Sequence, residues 1–425
     1  MLLYKLMESK RAVLFLALAF LLVMSGTVAA ALFVRGYRPR LNQRQLGLQA
    51  TGLLVASSVP EGASVYLNDK LVTATNDTLN LPPGEYQVRL EKDGYIPWQK
   101  RLLIKKEIVT QTNAVLFRSA PDLRPLTNTG ALKPTLSPNR TKIVYGVTQA
   151  SSARKNGVWL LDLNSSLPLT RANTRQLTSQ IEAINWDQVE FIWSPDAKTV
   201  LLLEHDKDDA VKAAYLIATD KFTPADQLPD VSLRLEIVLN QWRAEAQEEL
   251  EVKLAKAPAA VRQIATQSAQ LIRFSPDEER FFYLATASAQ IPANLIPHPP
   301  ARSTQPEERQ LKPDQVYVYD LKEDTNFRLG PAAELGINTE KCTKSPQFQC
   351  LNSAPYWLDD HHLLFIDQSK SEIKIIEADA TNRQTVYAGP FENSYIFPSP
   401  SGKSLIILTS LHPDSPGNLY EVRIR

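Results

Sequence analysis

Apolar spacing along the chain changes rule several times, and each change marks a boundary. Residues 12–34, "AVLFLALAFLLVMSGTVAAALFV", are 23 positions without a charge. As a helix they would measure about 34 Å, enough to cross a hydrocarbon core of roughly 30 Å. Residues 35–52 then read as a polar tether. From residue 53 to 118 the period drops to two in "GLLVASSVP", "ASVYLND", "GEYQVRLEKDGY" and "KRLLIKKEIV". Asn68-Asp69, Pro82-Pro83-Gly84 and Asp93-Gly94 separate these runs with turn chemistry. That alternation predicts a small β-sandwich.

Beyond Pro121 a longer repeat takes over. "PTLSPNRTKIVYGV" starts at Pro134, "FIWSPDAKTVLLLEH" at Phe191 and "IRFSPDEERFFYLA" at Ile272. "PYWLDDHHLLFID" follows at Pro355 and "IFPSPSGKSLIIL" at Ile396. Each is a strand, a Ser-Pro-Asp turn or a degraded copy, and a more apolar strand. Third strands are expected at 158–163, 213–219, 315–321, 372–378 and 417–424, and a fourth at Thr174–Thr178 and in "FRLG" and "QTVYAG". The last cycle lacks a fourth strand, and Leu123–Thr127, "LRPLT", resembles the missing one. Repeats of this kind close on themselves as a β-propeller, here of five blades, or alternatively six.

Two segments interrupt the repeat. Residues 231–271 carry Leu235, Val238, Leu239, Trp242, Ala246 and Leu250 at three- and four-residue spacing, a helical insertion that Pro258 divides. Residues 291–313 read as a Pro-rich surface loop with little core. The expected organisation is therefore mainly β. A membrane anchor spans 1–34, a tether 35–52, a sandwich 53–118, and a propeller with its insertion 119–425.

Charge removes one class of partner. Lys+Arg number 47 against Asp+Glu 46, so a net charge of +1 offers nothing to attract nucleic acid. The apolar run has cations on both flanks, Lys5, Lys10 and Arg11 before it and Arg35, Arg38, Arg40 and Arg44 after it, so orientation is not dictated. Small residues near Ala29 and Ala31 leave a cleaved signal peptide as the rival to an anchor. An anchor through residues 12–34, with the bulk extracytoplasmic, is the expectation. Cys342 and Cys350 stand in "KCTKSPQFQC" and are a disulfide candidate; two free thiols are the alternative.

"VPEGA" at Val59–Ala63, then "VYLND", then "LPPGEYQVRLEKDGY" resembles the PEGA domain. The departure is Asp69-Lys70, where a Gly is expected after the turn. The resemblance implies a small extracytoplasmic sandwich with no established catalytic role. The Ser-Pro-Asp cycles look like the propeller repeats of the TolB family. The whole order, including "YVYDLKEDTNF" at Tyr317–Phe327, is similar to bacterial PEGA domain-containing membrane proteins.

Motifs that carry chemistry are scarce. No G-x-S-x-G, P-loop, dinucleotide fingerprint or H-E-x-x-H occurs. Asp359-Asp360-His361-His362 unites metal-ligand types, but it fills the hairpin that Ser-Pro-Asp fills elsewhere, so a solvated turn is expected. Glu204–Asp209, "EHDKDD", reads as an exposed hairpin and not a calcium loop. Tyr317, Tyr319, Trp159 and Trp193 are expected in the core. No cofactor or metal is expected. The expected function is a non-catalytic binding or scaffolding protein of the bacterial cell surface. Its partner would be a cell-surface protein or glycan, and the docking candidates are Leu235, Leu239 and Trp242. The alternative is a surface hydrolase of glycan or peptide, using carboxylates at a propeller mouth.

Overall fold

The computed structural model describes residues 2–34, 37–42, 45–164, 173–182, 184–339, 355–392, 395–412 and 415–425. Cys342 and Cys350 lie outside the described residues. Helix α1 spans Leu2–Val34, and Val13–Ala31 within it is exposed throughout. Among the described residues it is the one helix long and apolar enough to cross a bilayer, a length and composition that an anchor and a signal sequence share. The expected tether is not plain coil. Tyr37–Asn42 and Gln45–Ala50 pair as an antiparallel hairpin, which the alternation in "QLGLQA" favours.

The chain divides into two compact units. The first takes in residues 1–93, 97–116 and 300–305, and the second holds the rest. Lys70–Ala74, Ser64–Leu67, Gly84–Glu91 and Trp98–Ile104 form one sheet of the first unit in that order. Val109–Gln111, Gly52–Ala56 and Asp77–Leu81 form another. Val65, Leu67, Val88, Leu90, Trp98 and Ile104 are buried, as are Leu54 and Ala56.

Local chemistry explains the Pro-Glu-Gly-Ala run. Gly62 takes a φ of +74° and donates its N–H to the Thr75 carbonyl at 3.0 Å, a left-handed conformation that suits glycine. Ala63 is fully buried and donates to Thr75 Oγ1 at 3.0 Å, while Lys92 donates to the Glu61 carbonyl at 2.8 Å. The departure at Asp69 is also resolved. Asn68 and Asp69 both have positive φ, 49° and 64°, as a two-residue hairpin turn requires, and these residue types tolerate it.

Among the described residues, five sheets of three or four strands build the second unit, with the short pair Ala289–Gln290 and Gln310–Leu311 beside them. Their first strands are Leu132–Leu136, Val189–Trp193, Ala269–Phe274, Tyr356–Trp357 and Ile396–Pro398. Each sheet then adds strands in chain order, and the second strands, such as Thr199–His205 and Ser404–Thr409, are almost wholly buried. Sheets covered on both faces call for continuous apolar runs, which is what the repeat supplies. Asp122–Pro125 is the outer strand of the fifth sheet and pairs antiparallel with Asn418–Arg423, as the resemblance of "LRPLT" to "TRQLT" predicts.

The second sheet has three strands. Its open edge, Val211–Ala218, is covered instead by the chain at 229–231. Leu216 donates to the Pro229 carbonyl at 3.1 Å, and Val231 to that of Ala214 at 2.8 Å.

The Ser-Pro-Asp turn is a small hydrogen-bonded unit. Ser194 Oγ donates to Asp196 Oδ1 at 2.7 Å, and that oxygen accepts the Lys198 N–H at 3.1 Å. Ser275 and Asp277 repeat the pair at 2.5 Å, and Ser137 and Asn139 at 2.8 Å. The residue after the acceptor is left-handed in all three, Arg140, Ala197 and Glu278 with φ of 58°, 56° and 57°, as is Gly402 (63°) after the Ser399–Ser401 pair of the fifth turn.

Two segments differ from expectation. The helical stretch ends at Gln267, and Ala269–Phe274 is already the first strand of the third sheet. The Pro-rich loop is anchored at both ends, with Ile291 and Leu311 buried. Asp324, fully buried, accepts from Leu295 N and Tyr319 Oη, both at 2.7 Å, and from Arg309 at 3.2 Å. This gives the "YVYDLKEDTNF" segment a structural task.

Candidate functional site

Helices α2, Leu235–Leu254, and α3, Ala259–Gln267, lie between the second and third sheets. The first and second sheets pack directly through Val144, Val158 and Leu160 against Phe191, Trp193 and Leu202. The third and fourth do so through Phe282 and Val318 against Leu363 and Phe365. Between the second and third, the helices fill that role. Leu235, Leu239 and Trp242 pack on Ile192, Leu201, Leu203 and Ala214 of the second sheet. Leu254, Val261 and Ala265 pack with Phe281, Tyr283, Tyr317 and Tyr319 of the third.

The three docking candidates are thus 8%, 5% and 7% exposed, and their sheet already occupies them. This corrects the expectation for these positions: the amphipathic period marks the face turned inward, and a partner finds them covered. The outward face carries Leu233, 102% exposed, Ile237, 67%, and Val252, 65%. Asp230 sets the approach to α2 by accepting from Ser232 N and Oγ at 2.8 and 2.6 Å; both bonds hold its carboxyl below the usual range.

At the hairpin end of the first strands, the degraded fourth turn is not the solvated loop expected. It is one residue shorter than its sisters, since Leu358 N bonds His362 O where Ser194 N bonds Thr199 O. Asp359 Oδ1 accepts from His361 N at 2.7 Å and His362 N at 2.8 Å, and His362 Nδ1 stands 2.9 Å away. A carboxylate only accepts, so Nδ1 carries the proton. Arg425 also binds Asp359. Burial pushes the Asp359 carboxyl up, but His362 and Arg425 outweigh it and hold it well below the usual carboxylate range. His362 is 4% exposed, and its ring meets Phe117 edge-on at 5.3 Å. Arg140 reaches from the first sheet to the Trp357 carbonyl of the fourth. Burial lowers the Arg140 guanidinium, and Asp360 and Asp359 work against that. These groups tie sheets together and are engaged with one another.

The opposite end of the strands is less saturated. His205 Nε2 lies 3.2 Å from Glu190 Oε2 in the second sheet. Burial raises the Tyr395 phenol, and Glu392 and Glu190 raise it further. Partial burial also raises the Glu392 carboxyl, eased by Lys133, which occupies a left-handed position (φ 49°) at a bulge between Leu132 and Thr135. Gly417 makes room for this carboxylate, whose Oε1 sits 2.4 Å from where a Cβ would stand. Lys133 belongs to the first sheet, Glu190 and His205 to the second, and Glu392 and Tyr395 to the segment leading into the fifth; no recognisable spacing in the sequence groups them.

The expected exposed hairpin at Glu204–Asp209 holds for its tip alone. Asp206 Oδ1 closes the turn by accepting from Asp208 N and Ala210 N at 2.8 and 3.0 Å. Glu204 is 2% exposed, accepting from Asn185 N at 2.9 Å and Lys212 at 3.0 Å. Tyr317, Tyr319 and Trp193 are buried; Trp159 is half-buried and bonds the Lys155 carbonyl at 2.8 Å. Among the described residues no group of three His, Cys, Asp or Glu is placed to hold a metal ion.

Residues 51–119 match the PEGA domain family, in agreement with the resemblance read from "VPEGA". No curated protein matches the chain. Among solved structures the chain is similar to a putative TolB from Agrobacterium tumefaciens, at 12% identity over 69% of this chain and 78% of that one, TM-score 0.21. TolB from Acinetobacter baumannii is 10% identical over 80% of this chain and 56% of that one, TM-score 0.18. An oligogalacturonate lyase in complex with manganese is 10% identical over 92% and 96%, TM-score 0.20. Likenesses at this identity and TM-score assign no role to any residue here.

Proposed function

We propose that this chain is a non-catalytic, membrane-anchored extracytoplasmic binding or scaffolding protein of the bacterial cell surface. In this reading α1 holds it at the bilayer, and a partner is recognised through the helical insertion and the propeller. The observation that carries it is the two-faced use of α2. One face completes the core between two sheets, while the other leaves large aliphatic side chains in water. The hairpin-end carboxylate Asp359 supports the same reading, because its oxygens are taken by His362 and Arg425. A photo-crosslinking residue at Ile237 in the full chain, irradiated in intact membranes, tests it. One discrete adduct is expected. Irradiation that yields no adduct at Ile237 while control positions on the propeller do yield one would remove the insertion from recognition.

The alternative, a hydrolase, rests on Glu190, His205, Glu392 and Tyr395. A general acid needs a carboxyl raised by burial, and Glu392 is one. Hydrolysis of glycan or peptide that Glu190→Gln and Glu392→Gln both abolish would establish it.

A further inference from the structure

We infer that the outward face of α2 docks a helix carrying an aliphatic stripe flanked by lysine and arginine. The inference rests on the binding reading above and names the partner's chemistry.

The stripe starts at Leu233, in the short turn before α2, and continues along the helix through Ile237, Gln241, Ala244, Glu248 and Val252. All six are exposed, at spacings of four, four, three, four and four. That recurrence keeps positions on one line of a helix, and four of the six are aliphatic or small. It lies opposite the buried line Leu235, Leu239, Trp242, so the helix is apolar on two sides, and one of them has no neighbour among the described residues. A solvent-facing helix surface ordinarily carries polar residues at such positions.

Charge gives the second, independent half of the argument. Every exposed charge within α2 is acidic, Glu236, Glu245, Glu248, Glu249 and Glu251, and one exposed cation, Arg234, precedes the helix. The helix's two cations, Arg243 and Lys253, are half-buried and engaged. Arg243 bonds Asn240 at 2.7 Å, and Lys253 pairs with Glu249 at 2.7 Å. Glu236 and Glu248 have no hydrogen-bond or ion-pair partner among the described residues. An aliphatic seam bordered by acids matches a helix whose seam is bordered by bases, since flanking charges choose partner and orientation in helix pairs. An acidic partner is repelled, and an uncharged one leaves the flanking glutamates unmatched.

The full chain in neutral-lipid nanodiscs, with empty nanodiscs as the blank, provides the test. The probes are two synthetic 21-residue helices with the same leucine stripe, one flanked by lysine and the other by glutamate. Fluorescence anisotropy is expected to show the lysine peptide binding at least tenfold tighter, with affinity falling as salt rises. Ile237→Ser and the pair Glu245→Lys with Glu248→Lys should each weaken it about tenfold without changing the unfolding temperature. Equal binding of both peptides, or binding unchanged in these variants, overturns the inference. The Ile237 adduct separates the two levels. If it forms but mass spectrometry places it in an acidic or uncharged segment, the partner chemistry is wrong and the binding reading stands. If no adduct forms at Ile237 while propeller positions do crosslink, the insertion takes no part in recognition and this inference fails with it.

Discussion

The indole nitrogen of Trp193 in the second sheet donates to the carbonyl of Thr135 in the first, at 3.0 Å. Trp357 makes the equivalent bond to Arg273 at 2.8 Å, between the fourth sheet and the third. Both tryptophans end a first strand, and both acceptors stand two residues before the serine of the neighbouring turn. The tie therefore belongs to the repeat, and it appears at two of the junctions where sheet meets sheet without helices between.

Trp193→Phe keeps most of the buried area and removes the donor of the inter-sheet bond. We expect a loss of about 1–3 kcal/mol in chemical unfolding. Trp159→Phe, whose indole bonds only the nearby Lys155 carbonyl, is the control and should lose less than about 1 kcal/mol. Equal losses would show that the inter-sheet bond contributes nothing of its own.

The Asp359 cluster sets an acid limit. Its carboxyl lies below its unfolded value of about 3.9, so its stabilisation is present above about pH 4 and is lost as pH falls through the lower folded value. Asp359→Asn should cost about 3 kcal/mol at pH 7, because Arg425 loses its counter-charge and the cluster loses one of its two accepting oxygens. It should also flatten the fall in stability between pH 5 and pH 2. Urea unfolding at both ends of that range reads the difference; a variant with the wild-type slope would place the acid sensitivity elsewhere.

The two faces of α2 predict opposite outcomes. Trp242→Ala empties a site between sheet and helix and should destabilise by about 3–5 kcal/mol. Ile237→Ser on the outer face should stay within about 0.5 kcal/mol of the parent. For the same reason, excising the insertion would remove core and report on folding before it reported on any partner.

Asp324 anchors the Pro-rich loop, so Asp324→Ala should expose it. Limited trypsin digestion is expected to cut at Arg302 or Arg309 several times faster than in the parent, while the remaining sheets stay protected. Unchanged cleavage would mean that Asp324 is not what protects the loop.

Local regularity was readable in the chain. The period-two runs, the Ser-Pro-Asp turns and the closing strand at Leu123 all depend on residues a few positions apart or on one segment resembling another. The misread positions depend on distant partners. Asp359 looked like part of an exposed turn because Arg425 and Phe117 are far away in sequence. Leu235 and Trp242 showed an apolar face, but periodicity does not say whether the surface it meets belongs to the same chain. The Glu190, His205, Glu392 and Tyr395 grouping is assembled from separate sheets, so no spacing announces it.

The pairing of Asp122–Pro125 with Asn418–Arg423 has a consequence for the order of events in synthesis. The bond from Thr127 Oγ1 to Asn418 Oδ1, at 3.0 Å beside this pairing, spans 291 residues. A chain emerging at roughly 5–20 residues per second keeps its early strand waiting for tens of seconds before the matching strand exists. Until then the fifth sheet has no body, and the waiting strand is an uncovered edge. Closure is the step with the longest loop to bring together, and it comes after the other sheets have had time to form. Ribosome pauses or truncations in the final forty residues should therefore leave a nearly complete molecule that is unlatched and open to proteases.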